Sequence, residues 1–227
     1  LSAELELVPA HAACDVGFDR SMVGGYGQDD RVCAYPGLMA LLHTDTPKRT
    51  AVTILADREE IGSEGNTGLN SSFLPYFIDD LAAVQGTKGR HVLSRSVCLS
   101  ADVNAAFDPT FPDVLDKRNA SFLNHGVALM KYTGSRGKSG TSDASAELMG
   151  RVRSILDGAG LSWQVTELGK VDLGGGGTVA MFLANLDIDV VDIGVPVLSM
   201  HSPFEVTGKF DIYTAYKAFC AFFAAEL

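Results

Sequence analysis

Carboxylates and a single histidine are the residues of this sequence whose types and spacing suggest chemistry. Glu59 and Glu60 are adjacent, and they, Asp102 and His201 each come at or soon after the end of an apolar, strand-like run. In α/β proteins, ligand sites lie beyond the carboxyl ends of the strands. Carboxylates and an imidazole that meet at such an edge form a suitable donor set for a borderline cation such as Zn²⁺.

The adjacent glutamates can divide two tasks between them. On a strand, the side chains of Glu59 and Glu60 would point to opposite faces, but a chain that turns at the strand end can bring both to one site. Gly62 and Gly65 follow closely and favour such a turn. One carboxylate would then bind a metal ion, while its neighbour would take a proton from a water that the ion makes more acidic. The alternative is a solvated acidic loop.

The other candidate ligands have ordinary explanations as well. Asp29 and Asp30 stand before a helix-like run at 33–42, where aspartate is favoured as a helix N-cap. Asp102 would equally cap a turn. His201 would equally be a hydrogen-bonded histidine of the core.

Two further motifs are less specific. The glycines from Gly174 to Gly177 allow a backbone to approach a ligand closely, or they form a flexible turn. They are not a P-loop, because no Lys-Ser/Thr pair follows. His43 lies in a His-Thr-Asp-Thr-Pro segment that has the letters of a metal motif. However, it precedes the 51–56 run and Glu59 follows that run, so we expect no ligand role for His43.

Alternating strand-like and helix-like segments must position these residues. Apolar runs at 51–56, 96–101 and 189–194 predict buried strands. Helices are predicted at 33–42, around 73–81, around 148–156 and at 211–227. This alternation predicts an α/β fold.

Bulk composition excludes some classes of protein. The 227 residues are 46% hydrophobic and 20% charged, with a formal net charge of −10, which disfavours nucleic acid and anionic membranes as partners. No apolar run reaches the roughly 18 residues of a membrane span, and the first ten residues have no signal-peptide pattern. The four cysteines form no CxxC pair and are expected to be reduced, in a cytoplasmic protein.

Five segments occur in one order across the chain: DREEIGSEGNTG at 57–68, SADVNAAFDP at 100–109, KYTGSRGKSG at 131–140, GKVDLGGGGT at 169–178 and VLSMHSPFE at 197–205. Together they resemble the M18 family of metallo-aminopeptidases, the aspartyl-aminopeptidase family. The resemblance implies a three-layer α/β/α sandwich around a mixed sheet, a pair of zinc ions and peptide substrates. It also implies homo-oligomers, which are dodecamers in this family.

The same resemblance implies a role for each matching residue. Asp29 would bridge the two metal ions, and Glu60, Asp102 and His201 would supply the remaining ligands. The other implied roles are general base for Glu59, a partner that orients His201 for Glu205, and contacts to substrate for Lys131, Gly175 and Gly176.

The chain departs from the family pattern in two ways. Ala105 and Asp108 stand where the family often has histidines, so a preference for acidic N-terminal residues does not follow. The family's first metal-binding histidine lies well before the bridging aspartate, and this sequence begins after that point. Residues 1–227 are therefore expected to form a single catalytic domain that is incomplete at its N-terminus, to bind at most one zinc tightly and to have little activity alone.

The sequence leaves two other functions to consider. An inactive assembly or structural module with an incomplete metal site is the chief alternative, and metal content would separate it from the enzyme. A serine or cysteine hydrolase is disfavoured, because there is no GxSxG motif and no cysteine is paired with a histidine.

Overall fold

The computed structural model describes residues 2–136 and 139–226. The strands assigned in these residues are β1 (Cys14–Val16), β2 (Met22–Gly25), β3 (Val97–Ala101), β4 (Asn104–Ala105), β5 (Val127–Met130), β6 (Trp163–Val165), β7 (Asp189–Gly194), β8 (Pro196–Leu198) and β9 (Glu205–Gly208). The helices are α1 (Gln28–Leu42), α2 (Phe73–Val84), α3 (Gly89–Leu93), α4 (Ala146–Gly158), α5 (Ala180–Ala184) and α6 (Lys209–Ala224). Among the described helices, none has the combination of length and apolar character that a membrane span needs.

The central sheet is mixed and has the order β3-β7-β5-β6. Strand β7 pairs in parallel with β3 and antiparallel with β5, and β5 pairs in parallel with β6. The predicted strands at 96–101 and 189–194 are confirmed as β3 and β7. Successive side chains of β7 enter different cores: Val191 and Ile193 pack on one face of the sheet and Val190 on the other.

Helices cover both faces of this sheet and complete three layers. Helices α1, α4 and α6 share the larger core with the sheet. Helices α2, α3 and α5 share the smaller core on the opposite face. The three-layer α/β/α sandwich around a mixed sheet is therefore confirmed. Ser145 caps α4 by accepting a hydrogen bond from the Leu148 N–H at 3.1 Å, as serine commonly does at this position.

A second, five-stranded sheet with the order β1-β2-β9-β8-β4 lies at the end of the central sheet where β3 and β7 continue into β4 and β8. Glu205 begins β9, and Asp102 lies in the short link between β3 and β4. One candidate site residue, Glu205, therefore lies in this sheet, and another, Asp102, lies in the link that leads into it.

The strand expected at 51–56 is absent, and that prediction was wrong. These residues run without a turn or bend, but no backbone hydrogen bond joins them to another described residue. Ile54 and Leu55 are 42% and 59% exposed. A strand exists only where a neighbour satisfies its N–H and C=O groups. Residues 51–56 instead line a cavity that β3 also lines.

The cysteines are free thiols throughout the described part of the chain, as expected. Cys33 is buried, Cys98 and Cys220 are partly buried, and Cys14 is exposed.

Candidate metal centre

Three side chains from distant parts of the sequence meet at one point. The Nε2 atom of His201 lies 2.9 Å from Asp29 Oδ2 and 3.0 Å from Glu60 Oε1. One donor atom from each of the three residues lies within 4.8 Å of the other two, a spacing at which all three can hold one metal ion. Asp29 stands in the first turn of α1, Glu60 in a single 3₁₀ turn (Glu59–Ile61), and His201 in the loop between β8 and β9.

The backbone around the centre adopts left-handed conformations at non-glycine residues. Arg58, Ser199 and His201 have φ values of 60°, 59° and 64°. Such conformations cost free energy for residues with a Cβ atom, and they concentrate at functional sites. Gly62, with φ of 92°, ends the turn after the glutamates, which confirms that the chain turns there.

Glu59 and Glu60 have different neighbours. Glu60 reaches Asp29 and His201, whereas Glu59 lies close enough to Asp30 and Asp102 for its charge to raise the pKa of both. The pKa of Glu59 is itself raised, first by burial and then by the charge of Glu60. Glu60 is therefore part of the candidate ligand cluster, whereas Glu59 lies next to it.

Burial and mutual repulsion make this acidic cluster unfavourable without a cation. Burial raises the pKa of Asp29 to about 6 and that of Asp30 to about 8, and neighbouring carboxylates add to both shifts. The pKa of Asp102 is raised well above its usual range by burial, then by Asp30, Glu59 and Asp29. One carboxylate oxygen of Asp30 is buried without a hydrogen-bond partner. A divalent cation fits such a site, because it would compensate the crowded negative charges.

Asp102 is a neighbour of the triad rather than part of it. It does not belong to the group formed by Asp29, Glu60 and His201, and its Oδ1 accepts a hydrogen bond from the adjacent Val103 N–H at 2.7 Å. Asp29 and Asp30 have non-helical backbone angles at the start of α1, and a hydrogen bond from the Cys33 backbone lowers the pKa of Asp30 against the larger effect of burial. A capping role for Asp30 therefore stays an alternative to a ligand role.

Glu205 holds the backbone of two triad residues. It is 2% exposed, and its Oε2 accepts hydrogen bonds from the N–H groups of Gln28 at 2.7 Å and Asp29 at 3.1 Å. Its Oε1 accepts the N–H of His201 at 2.9 Å. The expected orientation of His201 by Glu205 thus acts on the main chain, since the imidazole Nε2 is directed at the carboxylates of Asp29 and Glu60.

The residues expected to contact substrate lie elsewhere. Gly175 lines a small cavity of about 110 Å³ with Tyr132, Glu167 and Lys170, and this cavity shares no lining residue with the one at the triad. The Gly176 carbonyl accepts a hydrogen bond from the Gly134 N–H. Lys131 forms an ion pair with Asp143. Their contact with substrate stays a prediction.

His43 lies outside the triad. Its Nδ1 lies 2.9 Å from the Tyr216 hydroxyl, at the end of α1. The residue that sequence reasoning undervalued is Asp30. The signal was present in the paired aspartates, but only the fold shows that Asp30 is buried against Cys33 and Asp102.

The similarity of this chain to known proteins also supports a metal site. A sequence model described as "Aminopeptidase I zinc metalloprotease (M18)" matches residues 1–223. The probable M18 family aminopeptidase 1 of Clostridium acetobutylicum is 50% identical over 226 residues, which are 98% of this chain and 49% of that protein. The chain thus spans about half the length of the curated relatives it matches.

Solved structures agree with this match. An M18 aminopeptidase from Thermotoga maritima superposes with a TM-score of 0.91 at 47% identity, over 94% of this chain and 48% of that one. The mApe1 dodecamer of S. cerevisiae superposes at 0.77 over 95% of this chain and 49% of that one, but at 23% identity this likeness shows the fold alone. The match along nearly the whole sequence establishes that the chain belongs to the M18 family of zinc metalloproteases, the aminopeptidase I family.

Proposed function

We propose that this chain is the metal-binding part of a zinc-dependent aminopeptidase that removes N-terminal residues from peptides. The observation that carries the proposal is the meeting of Asp29, Glu60 and His201 within 4.8 Å, beside Glu59 and Asp102. The names of the relatives support the activity, since those proteins are described as aminopeptidases.

Asp29, Glu60 and His201 would hold one zinc ion, and Asp102 together with the bridging Asp29 would contribute to a second position. When bound, zinc supplies a Lewis acid that polarises a carbonyl group and lowers the pKa of water. Glu59 would accept the proton of the attacking water and pass it to the amine that leaves. Its raised pKa supports this role, because a base that must also donate works best with a pKa nearer neutrality.

Glu205 would keep the donors in place rather than bind metal. Both of its oxygens accept backbone N–H groups from the segments that carry Asp29 and His201. Groups that fix metal ligands in this way commonly affect metal affinity strongly. Lys131, Gly175 and Gly176 remain candidates for contact with the peptide.

The described residues offer one compact triad, so we expect the chain alone to bind a single zinc ion tightly and to show little activity. Zinc titration against a competing chelator measures the number of tight sites. Two tight sites would contradict this expectation. We further propose that the protein to which the chain belongs forms a homo-oligomer, as its membership of the M18 family implies.

The activity is best tested in a chimera in which this chain replaces the matching half of the Clostridium acetobutylicum relative. Glu59→Gln should lower kcat by at least about 100-fold while zinc content stays the same, because only the proton acceptor is lost. Glu64→Gln is the matched control, since Glu64 is an exposed carboxylate of the same loop bonded to Asn70. A zinc-loaded chimera without peptidase activity, or equal activity in both variants, would contradict the proposal.

A further inference from the structure

The side chain of Gln28 is buried immediately before the triad residue Asp29 in the sequence. Gln28 is 7% exposed and is the first residue of α1. Its Nε2 donates hydrogen bonds to the main-chain carbonyls of Val23 at 3.0 Å and Glu205 at 2.6 Å, and its Oε1 accepts one from the Thr207 hydroxyl. These partners lie in β2 and β9, so the amide ties the start of α1 to two strands of the five-stranded sheet.

Gln28 holds Glu205 at two points. Its backbone N–H donates to Glu205 Oε2 at 2.7 Å, and its side-chain amide donates to the main-chain carbonyl of the same glutamate. The backbone N–H at the start of a helix has no partner within the helix, and here a carboxylate satisfies it. A glutamate that is held at both its carbonyl and its carboxylate has few rotamers left. The contacts of Gln28 therefore restrict the direction of the Glu205 carboxylate.

The carboxylate of Glu205 passes this restriction on to two triad residues. Its Oε2 accepts the N–H of Asp29 at 3.1 Å, and its Oε1 accepts the N–H of His201 at 2.9 Å. Asp29 has φ of −76° and ψ of 108°, so it is not helical although it lies within the bounds of α1. A regular helix therefore does not fix where its carboxylate points, whereas the bond to Glu205 does.

Fold stabilisation alone would also explain a buried amide with several partners, and Gln164 is such a case. Its Oε1 accepts the Phe122 N–H at 2.9 Å, and its Nε2 donates to the carbonyls of Phe122 and Gly126 at 3.0 and 3.1 Å. Gln164 lies on β6, at the edge of the central sheet. Its side chain makes three hydrogen bonds, as that of Gln28 does, but to a loop that carries no triad residue. The two amides are therefore a matched pair.

We propose that Gln28 is a positioning residue of the metal centre, which acts through Glu205 on Asp29 and His201. The inference rests on the proposed function, because it takes the triad to be a zinc site. Groups that hold metal ligands in place commonly change metal affinity by about 10- to 100-fold when they are lost. Gln28 acts in this way on the geometry of the donors, without contact with the ion.

The test compares Gln28→Met with Gln164→Met. Both changes keep a side chain of similar length and remove three hydrogen bonds, so both should lower the urea midpoint of the metal-free chain. Only Gln28→Met should weaken zinc binding by at least about tenfold, measured by competition with a chelator. Only this variant should also alter the visible absorption of bound Co²⁺, which reports the geometry of its ligands.

A second measurement needs no metal. Residue-resolved amide hydrogen exchange by NMR should be at least about tenfold faster at Asp29 and His201 in the metal-free Gln28→Met variant, because their acceptor is no longer held in line. Gln164→Met should leave both amides close to their rates in the unmodified chain. If the unmodified chain binds no zinc, the proposed function fails, and these two amides still decide the role of Gln28.

Thr207→Val is a milder variant in case Gln28→Met does not fold. It removes only the hydroxyl that donates to Gln28, and it should weaken zinc binding by at least about twofold. Thr166→Val is its control, since that buried hydroxyl donates to the Asn119 carbonyl, and it should leave zinc affinity unchanged.

Two results would overturn the proposal. In a chain that binds zinc, equal zinc affinities of the Gln28 and Gln164 variants would show that Gln28 only stabilises the fold. Unchanged exchange at Asp29 and His201 in Gln28→Met would have the same consequence, whether or not zinc binds.

Discussion

Two sets of carboxylates in this molecule have opposite surroundings. Glu205 and Asp211 are surrounded by backbone donors: three N–H groups bond to Glu205, and those of Asn124 and Gly126 bond to Asp211 at 2.6 and 2.7 Å. Asp30 and Asp102 have fewer donors, Cys33 for Asp30 and the Val103 N–H for Asp102, and other carboxylates raise the pKa of both. A carboxylate that organises the fold is matched with several donors, whereas carboxylates with few donors that repel one another indicate a place for a cation.

The largest expected effect on stability distinguishes Glu205 from Asp211. Glu205→Ala leaves three backbone N–H groups without an acceptor and should lower the free energy of unfolding by about 3–6 kcal/mol. Asp211→Ala leaves two and should cost about 2–4 kcal/mol. Only Glu205→Ala should also weaken zinc binding, since Asp211 holds a loop away from the triad. Urea unfolding with a chelator present and a separate zinc titration measure the two quantities.

Glu205→Gln serves as a milder variant that keeps one acceptor oxygen. It should recover part of the stability and part of the zinc affinity. Equal effects of the Glu205 and Asp211 variants on zinc binding would remove the distinction between them.

Loss of the imidazole should produce the next largest effect. His201→Ala removes a donor of the triad and should weaken zinc binding by at least about 100-fold, beyond what loss of a ligand's partner usually causes. His43→Ala is the control, because its ring contacts Tyr216 and lies outside the triad. Equal zinc affinities in the two variants would make His201 an ordinary surface histidine.

The surroundings of Asp192 are intermediate between those of the donor-rich carboxylates, such as Glu205, and those of the clustered carboxylates, such as Asp102. Asp192 is 2% exposed on β7 and accepts a hydrogen bond from Thr178 Oγ1 at 2.7 Å. Burial raises its pKa from 3.8 to about 6. A raised pKa in the folded state favours the protonated form, so this contribution to stability is complete below about pH 4 and disappears as the pH rises through about 6.

The Asp192→Asn variant should abolish this part of the pH dependence while keeping an oxygen for Thr178. The difference in free energy of unfolding between unmodified chain and variant should change by about 2 kcal/mol between pH 4 and pH 7. Chelator-containing denaturation curves at several pH values measure it. A constant difference across this range would show that Asp192 titrates normally.

The smallest expected effect is that of Asp102→Asn, which should raise the stability of the metal-free chain and lower its affinity for zinc. Asp102→Asn removes one charge from the crowded cluster, so the metal-free chain should gain about 1 kcal/mol of stability. Zinc affinity should fall, because a carboxylate near the metal is lost. Thermal unfolding with and without zinc measures both signs. A loss of stability in the metal-free chain would make Asp102 an ordinary turn residue.

The sequence alone was sufficient for the elements whose pattern is local. Short apolar runs predict β3 and β7, and helical spacing predicts α4 and α6, because each pattern needs only a buried face. Helix α2 forms as predicted, although Phe73, Phe77 and Leu81 of its pattern are exposed. Gly62 and Gly65, which follow the adjacent glutamates, favour a turn, and the chain does turn at Gly62.

The tertiary structure decided what depends on partners. Residues 51–56 have the composition of a strand but lack a neighbour, since β-structure requires hydrogen bonds from another segment that a local pattern cannot guarantee. Likewise, no spacing rule could place Glu205 against the backbone of Asp29, 176 positions away. Which carboxylates receive donors and which repel one another is set by distances between remote segments, and only folding fixes those distances.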